Sequence, residues 1–253
     1  MYTVPKPTLG EVSAIAIHSP QIEHSATYYK QLGYSEVLRG PSWILLSDTA
    51  LLVLLIQNPN PLIAQLYYSK EPEKVVAEMQ SRGVSFTANT SAGNTTFYSV
   101  QSPDGMPVNI VKQVEGVQPP TGNTMLTLPQ EDYLKPELYA NKVCGLYGEF
   151  CHPVKHLETS LAFWEKLGFV ALTKFESPYP WAIISDGSSV IGLHQTDHFA
   201  NPAITYFGSD MTSRIEALKK AGITSHIEMG PANAVLKTPE EQYINLFDFG
   251  SGG

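Results

Sequence analysis

Basic residues are scarce in this chain: Lys and Arg number 16 against 24 Asp and Glu, a net charge of −8 over 253 residues. A nucleic-acid face needs clustered cations, so nucleic acid is excluded as a partner, and nucleotide or coenzyme A substrates are disfavoured. The one adjacent basic pair, Lys219-Lys220, falls at the end of an expected helix, where it complements the helix dipole. Cysteine is equally sparse. Cys144 and Cys151 make no metal quartet or disulfide framework by themselves and are expected to be free, buried thiols. Long apolar runs are missing too. The oiliest stretch, WILLSDTALLVLLIQ, is broken by Ser47, Asp48 and Thr49, which makes it two buried strands and a turn, not a membrane span. The opening MYTVPKPTLG has neither the basic start nor the apolar stretch of a secretion leader, so a cytoplasmic location is expected. No Gly-rich phosphate loop, nucleophile elbow or usable Ser-His-Asp spacing occurs.

What the chain does have is repetition. IEHSATYYKQLGY (22–34) returns as HLETSLAFWEKLGF (156–169). Trp43 and Gln57 return 138 residues later as Trp181 and Gln195. AQLYYSKEPEKVVAEMQSRGV (64–84) returns as AITYFGSDMTSRIEALKKAGI (203–223), and SPDGMPVNIV (102–111) as TPEEQYINLF (238–247). Similarity at a nearly constant offset indicates two like halves. The expected organisation is a first domain over 10–113, a proline-rich and partly extended linker over 114–142, and a second domain over 143–250.

Each half is also doubled within itself. In the second, GLYGEFCH reads as a strand, with Leu146 and Phe150 on one face and Tyr147 and Glu149 on the other. HLETSLAFWEKLG reads as an amphipathic helix that Gly168 stops, and His156 is expected to cap or pack at its start. FVALTKF, WAIISD and SVIGLHQ follow as strands. AITYFGS then opens a second unit, whose helix Ser209 or Asp210 can cap and Gly222 stops. The expected fold is α+β: four βαβββ modules paired into two curved, open, barrel-like sheets.

Four tandem βαβββ units, the helix phrase LETSLAFWEKLGF and the SPDG turn before a strand resemble the vicinal oxygen chelate superfamily. That superfamily includes glyoxalase I, extradiol dioxygenases and the bleomycin and fosfomycin resistance proteins. The resemblance implies a cleft in each domain and, in catalytic members, a divalent metal held by up to four His or Glu side chains. Those ligands come from the first and a late strand of each unit. A metal needs such donors converging at ~2.0–2.2 Å with a position left open for substrate. On this chain the implied positions are Glu149, Gly192, Ala203 and Asn245 in the second half, and Ala14, Leu54, Ala64 and Asn109 in the first. Neither set makes a coordination shell.

Glu149 stands out as a charge on an apolar strand, which costs energy unless it is paired. It reads as a remnant ligand or a general base, or else as a carboxylate tied to a neighbour. His194 and His198 leave a strand for a loop, a poor geometry for a ligand pair, and His152 and His156 flank Pro153 at a strand-to-helix junction. Trp43 and Trp181 occupy matching positions where each could stack a flat ligand or fill core. Asn109 and Asn245 sit mid-strand, where Asn is disfavoured. The reading favoured is a monomeric or homodimeric protein that binds a small, partly aromatic molecule without a cofactor. Its contacts are expected from Tyr147, Glu149, Trp181, His194, Thr205 and Asn245, with Trp43 and Asn109 in the other half. The alternatives are a divalent-metal lyase, isomerase or dioxygenase built on Glu149 and His194, and a cofactor-free enzyme with Glu149 as its base.

Overall fold

The computed structural model describes residues 5–90 and 95–249, so position 250, the end of the second expected domain, lies outside it. The first half runs β1 (Val12–Ser19), α1 (Ile22–Gln31), β2 (Ser35–Gly40), β3 (Trp43–Ser47), β4 (Leu52–Gln57), β5 (Ile63–Ser69), α2 (Pro72–Ser81), β6 (Thr87–Thr90), β7 (Thr96–Gln101) and β8 (Pro107–Lys112). The second runs β9 (Leu146–Pro153), α3 (Leu157–Lys166), β10 (Val170–Phe175), β11 (Trp181–Ser185), β12 (Val190–His194), β13 (Ala203–Phe207), α4 (Met211–Lys220), β14 (Ile227–Glu228), β15 (Asn233–Lys237) and β16 (Tyr243–Phe247). The architecture is α+β, with four βαβββ modules joined in pairs into two eight-stranded mixed sheets. The strand orders are β2-β3-β4-β1-β5-β8-β7-β6 and β10-β11-β12-β9-β13-β16-β15-β14, so the first strands of two modules meet at the centre of each sheet.

Each helix is followed by a glycine in the left-handed region: Gly33, Gly83, Gly168 and Gly222. That conformation stops a helix at little cost only when there is no Cβ. The helix starts depart from expectation. Asp210 and His156 occupy the positions that precede α4 and α3, but neither side chain makes a capping bond. Asp210 instead accepts from Arg214 Nε at 2.6 Å, because a guanidinium one turn away is a stronger partner than a backbone N–H. His156 is exposed.

One face of each sheet packs against helices, and the helical faces of both halves merge into a single core that includes Tyr29, Met79, Trp164 and Leu218. Buried polar groups cross this interface. Tyr206 on β13 donates its hydroxyl to Asp48 in the β3–β4 turn and also bonds the Tyr34 hydroxyl. The repeat-related pair, Tyr67 on β5 and Asp186 in the β11–β12 turn, faces across in the opposite sense. Asp104, from the SPDG turn, accepts from Lys155 N at 2.8 Å and from Ser160 Oγ at the start of α3. The segment between the halves is folded onto them. Asn141 donates to Leu32 O at 3.0 Å and to Asp48 Oδ2 at 3.1 Å, and Val117 is buried on the open face of the first sheet. Both cysteines are free and buried.

Candidate functional site

The side chains of interest lie on the face of the second sheet that is turned away from the helices. Cross-strand partners share a face, and the register pairs Trp181 with His194, Gly192 with Cys151, Thr205 with Glu149, and Asn245 with Thr205. Glu149, Cys151, His194 and Thr205 are buried, whereas Trp181 and Asn245 are partly exposed. Glu149 Oε1 and His194 Nε2 are 2.9 Å apart, and His194 Nδ1 lies 3.4 Å from the Tyr179 hydroxyl. Asn245 Nδ2 donates to Thr205 Oγ1 at 3.2 Å.

Two glycines make this arrangement possible. Gly148 has no partner in the β9–β13 register, forming a bulge, and a Cβ there would meet Phe207 Cε2 at 2.5 Å. The bulge breaks the strict alternation expected along GLYGEFCH. Tyr147 therefore turns to the helical side, where its ring lies 6.0 Å from that of Tyr206, while Glu149 stays on the open face. Gly192 leaves room for the Glu149 carboxylate, every atom of which a Cβ at that position would strike. The position that seemed an empty ligand slot is a cradle.

Aromatic rings wall the pair. Trp181 stacks on His194 with centroids 5.3 Å apart and planes within 5°, and Phe175 stacks on the far side of Trp181 at 4.2 Å. Tyr179 and Phe199 present edges to His194 at 5.9 and 5.7 Å. Burial, then the nearby Glu149 charge, pushes the Cys151 thiol well up and keeps it protonated at neutral pH. The neighbouring His152 turns to the other face, where burial lowers it to about 4. His198 and His156 are exposed and do not join His194.

The structure thus brings together Glu149, His194, Trp181, Thr205 and Asn245, and sets Tyr147 apart from them. Cys151 is the free, buried thiol that the sequence leads one to expect, and it also belongs to the site. Period-two spacing from Glu149 was the signal that could have added it to the site. Tyr179 and Phe199 arrive from loops, which strand periodicity does not place. In the first half the matching face carries Ala14, Leu54, Leu66, Ile56 and Trp43 in an apolar cluster. Asn109 is the polar exception, and its Oδ1 is buried without a partner.

A metal would find an unusual donor set. Of the four positions that the resemblance points to in this half, Glu149 offers a carboxylate and Asn245 an amide, and Gly192 and Ala203 offer no donor. Glu149, Cys151 and His194 nevertheless bring three donor atoms within 4.8 Å of one another. A carboxylate, a thiol and an imidazole suit Zn or Fe rather than Mg or Ca, and the thiol must lose its proton to bind.

No protein-family model matches the chain, and no curated protein matches it in sequence. Solved structures do. Homoprotocatechuate 2,3-dioxygenase from Brevibacterium fuscum superposes with a TM-score of 0.63 at 14% identity, over 96% of this chain and 72% of that one. The Arthrobacter globiformis enzyme superposes with a TM-score of 0.61 at 16% identity, over 97% and 81%. Among the described residues no helix is long and apolar enough to cross a membrane.

Proposed function

We propose that this chain, which has the two-sheet vicinal oxygen chelate fold of the extradiol dioxygenases, binds a small, partly aromatic molecule at the open face of its second sheet. The observation that carries this is the buried Glu149–His194 pair with Trp181 stacked on it. Trp181, Phe175 and Phe199 supply flat apolar surface, and the carboxylate–imidazole pair with Thr205 and Asn245 supplies the few polar groups that orient a ligand. Glu149 fixes the imidazole's position through Nε2, and the carboxylate is the group that could accept the proton of a ligand hydroxyl or acidic C–H brought against it. The neighbours are named for homoprotocatechuate, and one is described as ring-cleaving, which makes a hydroxylated single-ring aromatic the natural first class to test.

Homoprotocatechuate should raise the thermal midpoint and quench tryptophan fluorescence saturably. Trp181→Ala should weaken binding at least tenfold, and Glu149→Gln should weaken it less. Titrations of the wild-type chain with homoprotocatechuate and related phenolic acids that show no saturable change would refute the proposal.

A second reading is favoured by the three converging donors. Glu149, Cys151 and His194 would hold one Zn or Fe ion, whose Lewis acidity would polarise an oxygen of the bound molecule. Elemental analysis after incubation with Zn, Ni, Mn and Fe separates the two. Stoichiometric metal that is lost in His194→Ala supports this reading. A metal-free protein that still binds the aromatic supports the first.

A further inference from the structure

The polar pair of the proposed site is covered. His194 is 8% exposed and Glu149 6%, so a ligand must displace something to lie against them. Three rings surround His194, and they differ in kind. Tyr179 and Phe199 meet it at 66° and present edges, whereas Trp181 lies within 5° of parallel and covers its face. Trp181 is itself held from behind. Phe175 stacks on its outer side at 4.2 Å and 16°, so both faces of the indole are taken. A flat molecule between Trp181 and His194 needs the two ring planes about 7 Å apart, twice a ~3.5 Å contact. The ring centroids are only 5.3 Å apart. The indole must therefore move outward, into the space that Phe175 fills.

Phe175 is placed to yield. It ends β10, the outermost strand on its side of the sheet, and is 43% exposed. Trp181 Nε1 donates to Ser177 O at 3.3 Å, which joins the indole to the loop that follows Phe175. The repeat shows that the fold does not require a ring at this position. Opposite Trp43 in the first half stands Gly40, and that indole lies directly over it, since a Cβ on Gly40 would meet Trp43 Nε1 at 2.3 Å. Opposite Trp181 stands Phe175. Resting on the reading of this face as an aromatic-binding site, we infer that Phe175 is a latch. It is a positioning residue that holds Trp181 down on His194, and the ligand ring enters between those two when the latch opens. Such a latch lowers the apparent affinity in proportion to the fraction of molecules that are open. One aromatic stack is worth about two- to tenfold in an equilibrium constant.

The test is stopped-flow tryptophan fluorescence of the full chain with homoprotocatechuate. Phe175→Ala should bind about two- to tenfold more tightly, through faster association with dissociation unchanged. Phe175→Leu removes the flat ring but keeps apolar bulk, and it should behave as Phe175→Ala does. Phe175→Tyr keeps a flat ring and should match the wild type. In the ligand-free chain the Trp181 indole N–H, followed by NMR, should exchange with solvent at least about twofold faster in Phe175→Ala. Where the wild type binds, equal or weaker binding by Phe175→Ala and Phe175→Leu overturns the latch alone, and Phe175 is then part of the wall. An indole exchange rate that Phe175→Ala leaves unchanged overturns it as well. If neither the wild type nor the variants bind, the reading of the site falls and the latch falls with it.

Discussion

Replacing Gly192 with Ala probes the site through its tightest contact. The added Cβ would meet all three atoms of the Glu149 carboxyl, the farthest, Oε1, at 2.7 Å, well inside the ~3.5 Å at which nonbonded atoms sit comfortably. Gly192 lies mid-strand on β12, paired with Cys151 on one side and Ile183 on the other, so its backbone has little freedom to retreat. The carboxylate must swing away, leaving both Glu149 and the His194 nitrogen without their 2.9 Å bond in a buried setting. Overpacking costs about 1–3 kcal/mol, and a chain of this length loses roughly 2–4 °C of melting temperature per kcal/mol. Glu149→Ala alone should cost about 1–3 kcal/mol, from the orphaned imidazole. In the double variant the clash is gone, so Gly192→Ala should be nearly neutral, a coupling of about 1–3 kcal/mol read by urea unfolding. Equal destabilisation in both backgrounds would mean that the carboxylate does not rest over Gly192, and the account of the site would be wrong.

The unfolded chain protonates His152 near its ordinary 6.5 and the folded chain only near 4. Stability should therefore be level above pH 6.5 and fall by up to about 1.4 kcal/mol per pH unit between there and pH 4. Urea unfolding across that range should lose this slope in His152→Leu. Tyr206→Phe removes a donor from the buried Asp48 carboxylate, so it should cost about 1–3 kcal/mol by denaturant titration and raise Asp48 further. Ala14→Glu would give the first sheet the charge that the second carries, but with Leu54 in place of Gly192 and Ile56 in place of His194. The charge would be unpaired, and the protein should be destabilised by about 3–5 kcal/mol or fail to express in soluble form.

The modules were legible because their signals are local: period-two strands, amphipathic helices ended by glycine, and a repeat that holds its offset across the chain. Glu149 was legible for the opposite reason, as a charge that its oily strand could not carry unpaired. Its partner was harder. His194 comes from a neighbouring strand, and the contact depends on Gly192 being small, whereas a reading by ligand position treats that residue as a vacancy. Strict alternation through Gly148 puts Tyr147 beside Glu149, whereas the strand bulges at Gly148, where Phe207 on β13, far away in sequence, leaves no space for a Cβ. Tyr179 and Phe199, which edge His194, come from segments 176–180 and 195–202, whose course depends on tertiary contacts. Capping failed at Asp210 because Arg214 outcompetes the backbone.

The exchange of Tyr206 for Asp48 in one direction, and of Tyr67 toward Asp186 in the other, bears on how the chain holds itself together. Each half finishes a buried turn that belongs to its twin, and the two share one core. A chain cut within 114–142 should thus yield two fragments that fold on meeting, as partners in a dimer do. The covalent tie then serves mainly as a concentration device: it guarantees one left-hand and one right-hand copy. With that ratio assured, the two copies need not carry the same face: one packs leucine where the other sets a carboxylate against an imidazole.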